Sequence, residues 1–329
     1  MLLYACSDPA PARRTLGHLP VLKLSLPVRL ALLVTGTMLP LIIFAVGIAF
    51  YNYEQDRSDA VRRVLENVRS MRLVLDSEVQ RMTGGLQVLA LTDALSRDDF
   101  QRFRSIAAGF LDQYGKDGAV LVADRKGRLL FSSLTEDSAE LPMRNNRAIV
   151  EGVFASKAPQ YSDLFVGAVK QRQVVTVEVP VLRDGEVIYD LCFSPPIDIF
   201  QKLIEKQRPD GQWTVSRLDT KGIVFARAPN PEETFGKRAS PSLYDTMFRN
   251  PEASLSTVSL DGVALSSAYA RSHLTGWTVA AGVSENSLIA PLWRNIAITG
   301  LILLGAYCAD RARLCAADGN HDRTRRDAA

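Results

Sequence analysis

The sequence contains few cysteines and histidines. Its 329 residues include four cysteines and three histidines, and between residues 52 and 287 only Cys192 and His273 occur. A disulfide within that middle segment is therefore impossible, and no Cys-x-x-Cys pair suggests a zinc or redox site. We predict that the chain has no metal site and needs no cofactor.

Recognisable catalytic signatures are also missing. The sequence has no G-x-S-x-G, H-E-x-x-H, G-x-G-x-x-G or Walker motif. Its paired acidic residues, such as Asp98-Asp99 and Glu232-Glu233, are more typical of solvated faces or helix caps than of a catalytic pair. We therefore expect no catalytic centre in the middle segment and no enzymatic activity of this chain.

The middle segment also lacks a charge of one sign. Residues 52–287 carry 29 basic and 31 acidic residues, whereas the two ends together carry ten basic and five acidic residues. A nearly neutral segment offers no electrostatic footprint for nucleic acid, so we predict no nucleic-acid partner. The excess of basic residues lies beside two long apolar runs instead.

These two runs have the length of membrane spans. Residues 30–51 form a run of 22 residues without charge, and about 20 residues cross a bilayer core. Residues 288–309 form the second run, and Arg294 near its start can extend to the interface. A cleaved signal peptide is the alternative for the first run, and a buried soluble helix is the alternative for the second.

The basic flanks predict how the chain crosses the bilayer. The positive-inside rule places both basic ends in the cytoplasm and segment 52–287 outside it. Residues 1–29 then form a cytoplasmic segment, and residues 310–329 form a disordered cytoplasmic tail. The basic residues before the first run and just after the second are Arg13, Arg14, Lys23, Arg29, Arg311 and Arg313.

A stalk helix and a second helix are predicted over residues 52–117. Apolar residues recur at steps of three and four from Val61 to Leu89, which predicts one amphipathic helix. Two roles for this stripe stay open, namely packing against the chain's own sheets and homodimerisation along the same seam. A capping box over residues 96–99 is expected to begin the second helix, and Gly115 to end it.

Two similar turns indicate an internal repeat. The turn from Asp124 to Gly127 and the turn from Asp219 to Gly222 both read Asp-x-Lys-Gly, with an offset of 95 residues. The later turns Asp184-Gly185 and Asp261-Gly262 are matched in the same way. We predict an α+β fold with two tandem PAS-like antiparallel sheet modules, over 118–208 and 209–287, flanked by the two transmembrane helices.

At these residues the chain resembles a known family. A span, a stalk helix and two sheet modules before a second span look like the double Cache domain, the PAS-like periplasmic sensor of bacterial receptors. Phrases similar to those of alphaproteobacterial sensor histidine kinases are VLVADRKGRLLFSS, YSDLF, PVLRDGEV, DGVALSSAYARS and TGWTVAAGV. The resemblance covers about residues 28–309 and implies a two-pass protein of the bacterial inner membrane, with residues 52–287 in the periplasm.

The resemblance also implies that a small molecule binds in the membrane-distal module, between its sheet and the loops over it. Strand alternation is expected to turn parts of 131–133, 161–165 and 174–177 toward this pocket. Tyr161 and Asp163 would bind a hydroxyl or an amine, and basic side chains would hold an organic acid. The predicted site residues are Phe131, Ser133, Arg144, Arg147, Tyr161, Asp163, Phe165, Arg172 and Thr176, with Lys170 beside them.

The chain departs from the family in two places. It has no Arg-x-Trp-Tyr element, which amino-acid-binding members carry. Only about 20 residues follow the second span, too few for kinase domains. Three interpretations stay open: a sensor whose output is lost or lies on another chain, a truncated or frameshifted histidine kinase, or a structural partner of full-length receptors.

Overall fold

The computed structural model describes residues 26–115, 117–136, 140–209, 211, 213–287 and scattered positions of 293–309. The helices in these residues are α1 (Leu26–Ala90), α2 (Asp93–Ser96), α3 (Phe100–Leu111), α4 (Arg147–Ser156), α5 (Ile197–Gln207), α6 (Pro231–Thr234) and α7 (Pro241–Met247). The strands are β1 (Ala119–Ala123), β2 (Leu129–Ser132), β3 (Gln160–Tyr161), β4 (Phe165–Val166), β5 (Gln173–Val174), β6 (Val177–Arg183), β7 (Glu186–Ser194), β8 (Trp213–Leu218), β9 (Val224–Ala228), β10 (Glu252–Val258), β11 (Ala264–Arg271) and β12 (Thr278–Ser284).

Internal contacts divide the chain into two units at Tyr51. The first unit holds the start of α1, and the window Thr35–Asn52 has a mean hydropathy of 1.5. By length and composition this is one helix that can cross a membrane, and the same test is passed by signal sequences. Half of the predicted second span, 288–309, and nearly all of both predicted cytoplasmic ends lie outside the described residues.

The second unit begins with the rest of α1, which is the predicted stalk helix. Its apolar stripe is buried in one core together with strands of both sheets. Packing against the chain's own sheets therefore accounts for this stripe, as the first of the two predicted roles requires. The stripe consists of Val64, Val68, Met71, Leu75, Val79, Met82, Leu86 and Leu89.

The helix α1 continues through Gly84-Gly85 to Ala90. A Cβ at Gly85 would lie 2.8 Å from the ring of Phe110, so glycine permits this close approach. One local detail differs from what the sequence suggested. The cap of α3 is Asp99, whose side chain accepts a hydrogen bond from the backbone N–H of Arg102 at 2.9 Å. The predicted capping box began three residues too early, since Ser96 ends α2 instead.

The first sheet module is a five-stranded antiparallel sheet in the order β2-β1-β7-β6-β3. One face packs against the helices α1 and α3 through the alternating residues Val120, Val122, Leu191 and Phe193. The opposite face carries α4, which contacts β6 and β7. A separate hairpin of β4 and β5 follows α4 along the chain.

The second sheet module repeats this arrangement. Its strand order is β9-β8-β12-β11-β10, so β8, β9, β11 and β12 take the places of β1, β2, β6 and β7. The register agrees as well, since Ser194 pairs with Ala119 in the first sheet and Gly282 pairs with Thr214 in the second. The structure thus has two copies of one antiparallel sheet, as the Asp-x-Lys-Gly turns predicted.

The second turn match was wrong. Asp184-Gly185 joins β6 to β7, whereas Asp261-Gly262 lies between β10 and β11. In the repeat, the counterpart of the first turn is the connection from β11 to β12. Short Asp-Gly turns suit many hairpins, so their sequence alone does not identify equivalent connections.

Candidate functional site

A cavity lies on the loop-covered face of the first sheet. It contains about 450 Å³ of atom-free space, its open mouth included. Strand residues form its floor, and the segment between β4 and β5 forms part of its wall. The lining residues are Ala119, Leu121, Leu134, Arg144, Phe165, Gly167, Ala168, Val169, Lys170, Arg172, Val174, Thr176 and Ser194.

A buried charge cluster lies beside this cavity. Arg144 is 4% exposed, and its Nη2 donates a hydrogen bond to Oε1 of Glu178. Its Nη1 lies 3.6 Å from Oδ2 of Asp190, and both carboxylates are fully buried. Two acidic side chains therefore share one guanidinium group, which leaves one negative charge without a partner if both are ionised.

A proton resolves this imbalance. Burial, together with the neighbouring Glu178, raises the pKa of Asp190 well above its usual value, while Arg144 opposes the rise. The raised pKa favours the protonated form of Asp190, and Glu178 then balances Arg144. Burial likewise raises the pKa of the Cys192 thiol, so this free cysteine between the two acids stays uncharged.

Several atoms of the cluster still lack a hydrogen-bond partner. Nη1 of Arg144, Oε2 of Glu178, both Oδ atoms of Asp190 and Oγ of Ser194 have none among the described residues. Arg144 and Ser194 also line the cavity, so two members of the cluster form part of its wall. Buried polar groups without partners are costly, which favours a polar ligand at this end of the cavity.

The rim of the cavity is basic. Lys170 is exposed, and Arg172 is half-exposed, with its Nη1 3.6 Å from a carboxylate oxygen of Asp117. Thr176 lies deeper, where its hydroxyl donates to Oε1 of Glu178 at 2.7 Å. Arg144 is balanced by Glu178, and Arg172 lies beside Asp117, so Lys170 is the lining cation that has no ion pair among the described residues. This basic rim favours an anion.

Five of the sequence-predicted residues meet in this cavity, namely Arg144, Phe165, Lys170, Arg172 and Thr176. Three others lie elsewhere. The ring of Phe131 packs on the helix side, 5.1 Å from Phe103, and Ser133 Oγ accepts the backbone N–H of Val120 at 3.0 Å. Arg147 is exposed and lies over the turn at Gly127.

The last two predicted residues lie where the modules meet. Tyr161 places its hydroxyl 3.3 Å from Thr83 Oγ1 on α1. Asp163 accepts a hydrogen bond from the backbone N–H of Thr220 at 3.0 Å and lies 3.4 Å from Lys221 Nζ. Neither side chain faces the cavity with the basic residues, so the structure does not join the two halves of the predicted site.

The junction between the modules continues beyond Asp163. Trp277 Nε1 of the second module donates to the carbonyl oxygen of Ser162 at 3.1 Å. Ser162 in turn accepts the backbone N–H of Thr176 through its hydroxyl at 2.7 Å. Thr176, which lines the cavity, is thus connected through Ser162 to Trp277 in the core of the second module.

Sequence reasoning missed Glu178, Asp190, Cys192 and Ser194. All four lie at alternating positions of β6 and β7, on the face opposite the helices. Acidic residues inside otherwise apolar strands were the available signal, because Glu and Asp are rarely fully buried without a partner.

Comparisons with known proteins agree with the fold. No family model and no curated protein matches the sequence, but solved structures do. The ligand-binding domain of Mlp24 with asparagine has a TM-score of 0.53 at 13% identity, covering 73% of this chain and 98% of that one. The Pseudomonas fluorescens chemoreceptor CtaA domain with L-isoleucine has a TM-score of 0.52 at 9% identity, covering 73% of this chain and 99% of that one. The Campylobacter jejuni chemoreceptor Tlp3 domain with L-valine has a TM-score of 0.50 at 14% identity, covering 72% of this chain and 98% of that one.

At these identities the likeness establishes the fold alone. The tandem modules and their stalk have the fold of sensory ligand-binding domains. More specifically, this is the double Cache fold, which confirms the resemblance seen in the sequence.

Proposed function

We propose that this chain is the extracytoplasmic input module of a membrane-anchored bacterial receptor, and that its first module binds a small organic carboxylate. The observation that carries the proposal is the buried Arg144, whose Nη1 has no hydrogen-bond partner and which lines a cavity rimmed by Lys170 and Arg172. Nη2 of Arg144 already donates to Glu178, so the attraction for a carboxylate comes from the two rim cations, with Nη1 as the remaining donor of Arg144.

The ligand is an acid without an ammonium group. An amino acid needs an anion for its ammonium group, and the nearest carboxylates, Glu178 and Asp190, are fully buried and already contact Arg144. The walls are apolar near Leu121, Phe165 and Val174. A short carboxylic acid with an apolar body therefore fits better than an amino acid, although the chemoreceptor domains of similar fold were solved with amino acids.

Isothermal titration of the full chain in detergent micelles with propionate, L-lactate, succinate and L-isoleucine tests this. At least one of the three acids should bind, and Arg172→Ala should weaken it about tenfold or more, the loss of one charge-assisted contact. Arg147→Ala is the matched control, since this exposed arginine lies outside the cavity. Binding of none of the acids, or equal losses in both variants, would refute the proposal.

The membrane topology belongs to the same proposal. The apolar window Thr35–Asn52 and the basic residues before it support an extracytoplasmic second unit. A Glu151→Cys variant places a thiol on an exposed position of α4. An impermeant maleimide should label it in cells with a permeabilised outer membrane and an intact inner membrane. Labelling only after lysis would place the modules in the cytoplasm.

We also propose that the receptor is a homodimer formed through a second face of the stalk. Opposite the buried stripe, α1 and the residue after it expose four large apolar side chains, between 38% and 82% exposed: Leu73, Val74, Val88 and Leu91. The first two lie about 20 Å along the helix from the last two, at about 1.5 Å per residue, so an interface that runs along the helix would cover both pairs. A signal would then pass as a shift between two packings of the paired helices, to a histidine kinase as the sequence resemblance implies.

Light scattering of the full chain in detergent tests the dimer. Val88→Glu should convert the dimer to a monomer, because a charge in this exposed apolar face would be costly to bury at the interface. Leu182→Glu is the control, since Leu182 is an exposed apolar residue of the hairpin between β6 and β7. A monomeric parent protein, or a dimer that survives Val88→Glu, would contradict this interface.

A further inference from the structure

The second module contains a cavity of its own. It holds about 430 Å³ of atom-free space, mouth included, on the loop-covered face of the sheet of β8 to β12. Its walls are apolar at Leu218, Val224, Leu243 and Leu265. Six hydroxyl side chains also line it: Thr214, Ser216, Ser240, Thr257, Ser259 and Ser267.

This cavity occupies the position in the repeat that the first cavity occupies in its own module. In the second sheet, Thr214 pairs with Gly282 and Gly282 pairs with Ser267, so these three residues form one row across β8, β12 and β11. The corresponding row of the first module is Ala119, Ser194 and Thr176. All six residues line their respective cavities.

Three of the hydroxyl groups are free to bind. Ser240 and Thr257 bond to each other at 2.9 Å, and Ser259 accepts backbone N–H groups of its own turn. In contrast, the hydroxyls of Thr214, Ser216 and Ser267 make no hydrogen bond within the described part of the chain. Ser267 is only 5% exposed and lines the cavity, so its side chain belongs to the cavity wall.

Gly282 keeps the row open. A Cβ at this position would lie 2.2 Å from Ser267 Oγ and 3.1 Å from Leu265 Cβ. A side chain there would therefore fill the space between the free hydroxyls of Thr214 and Ser267. Glycine inside a strand often marks a close approach by another group.

Among the described residues that line the cavity, Arg227 is the only charged one, and it is paired. Its Nη1 and Nη2 donate to the two carboxylate oxygens of Asp261, at 3.1 and 2.6 Å. This bidentate pair neutralises the guanidinium and uses its paired donors. A carboxylate or ammonium ligand would thus find no counter-ion here, in contrast to the first cavity.

We propose that the second module holds an additional binding site for an uncharged small molecule that carries hydroxyl or carbonyl oxygens on a short apolar body. Hydroxyl groups serve such a ligand because each one can donate and accept. Thr214, Ser216 and Ser267 hold the ligand oxygens, and the leucine and valine side chains cover its carbon atoms.

Saturation-transfer NMR on the full chain in detergent micelles tests the site with two probes, butane-2,3-diol and 3-hydroxybutan-2-one, with L-lactate as the charged analogue. At least one neutral probe should bind saturably, and excess lactate should not displace it. Ser267→Ala and the nearly isosteric Thr214→Val should each weaken binding about fivefold, the factor for one neutral hydrogen bond.

Two control variants distinguish binding in this cavity from binding elsewhere on the protein. Ser266→Ala removes the neighbouring buried hydroxyl of β11, which does not line the cavity, and should leave the affinity unchanged. Arg172→Ala should also leave it unchanged, because it affects only the first cavity. No saturable binding of either neutral probe, insensitivity to both Ser267→Ala and Thr214→Val, or a loss with Arg172→Ala would overturn the proposal.

Discussion

The two sheet modules share strand order and register but differ in the residues under their loops. Asp190 of the first sheet corresponds to Thr278 of the second, since they pair with Ala123 and Leu218 respectively. Glu178 likewise corresponds to Tyr269, opposite Cys192 and Ala280. One scaffold therefore carries a charged floor in one copy and a neutral, hydroxyl-lined floor in the other.

The helix-facing side shows much less change. Leu191 and Phe193 of β7 correspond to Val279 and Ala281 of β12, and all four lie in the core shared with the stalk. Apolar packing against α1 thus constrains one face of each sheet, while the other face is free to vary its chemistry. The comparison illustrates that binding chemistry is set by a few residues on a common fold.

The largest expected effect follows from removing the cation of the first module. Arg144→Leu leaves Glu178 buried without a counter-charge, and breaking a buried pair in this way costs about 3–5 kcal/mol. Urea unfolding of the full chain in detergent, followed by circular dichroism, measures the loss of unfolding free energy.

Arg147→Ala is the control for this change, because an exposed substitution away from a network shifts stability by less than about 0.5 kcal/mol. A loss below about 1 kcal/mol in Arg144→Leu would mean that the two carboxylates do not depend on the guanidinium. The contrast between a charged and a neutral floor would then lose its energetic basis.

A smaller effect is expected from the ion pair of the second module, between Arg227 and Asp261. Arg227→Ala removes two charge-assisted hydrogen bonds, at a cost of about 1–3 kcal/mol. The loss is smaller than in the first module because Asp261 is 21% exposed and regains water when its partner leaves. The same urea titration measures it, with Lys202→Ala, at an exposed position of α5, as the control.

The pH dependence of this pair provides a second measurement. Hydrogen bonding to Arg227 lowers the pKa of Asp261. The pair therefore contributes stability above the unfolded value of about 3.9, and the contribution is lost as pH falls through the folded pKa. Arg227→Ala should remove this loss of stability at acidic pH. A variant that keeps the parent's full acid dependence would contradict the pairing.

Sequence reasoning predicted the architecture because its signals are local and periodic. The stripe from Val64 to Leu89 has helical spacing, and its burial confirms the stalk. The two Asp-x-Lys-Gly turns carry the side-chain and backbone requirements of the same hairpin, and the repeat follows from them. The Asp-Gly match failed because that turn type serves hairpins at different positions of the sheet.

The candidate site was only partly predictable. Phe131 lies in a strand buried on both faces, so apolar alternation does not reveal which face meets the helices. Asp163 binds Thr220, which lies 57 residues further along the chain, and no local pattern encodes that contact. Arg144, Glu178 and Asp190 come together only when β6, β7 and the chain before α4 assemble.

The smallest expected effect has the opposite sign. Burial and Glu178 raise the pKa of Asp190, so the folded state holds a proton that the unfolded chain releases above about pH 3.9. Stability linked to Asp190 is then full below that pH and declines as pH rises toward the folded pKa. Asp190→Asn replaces the protonated acid with a neutral group of similar shape and should flatten this decline. At neutral pH we expect Tm to rise by about 2–4 °C, the equivalent of about 1 kcal/mol in a domain of this size.

The equivalent change in the second module, Thr278→Val, removes no titrating group and should leave the pH profile unchanged. Thermal unfolding of both variants between pH 5 and 8 distinguishes the two floors, and a destabilised Asp190→Asn with an unaltered slope would show that Asp190 is ionised in the folded protein.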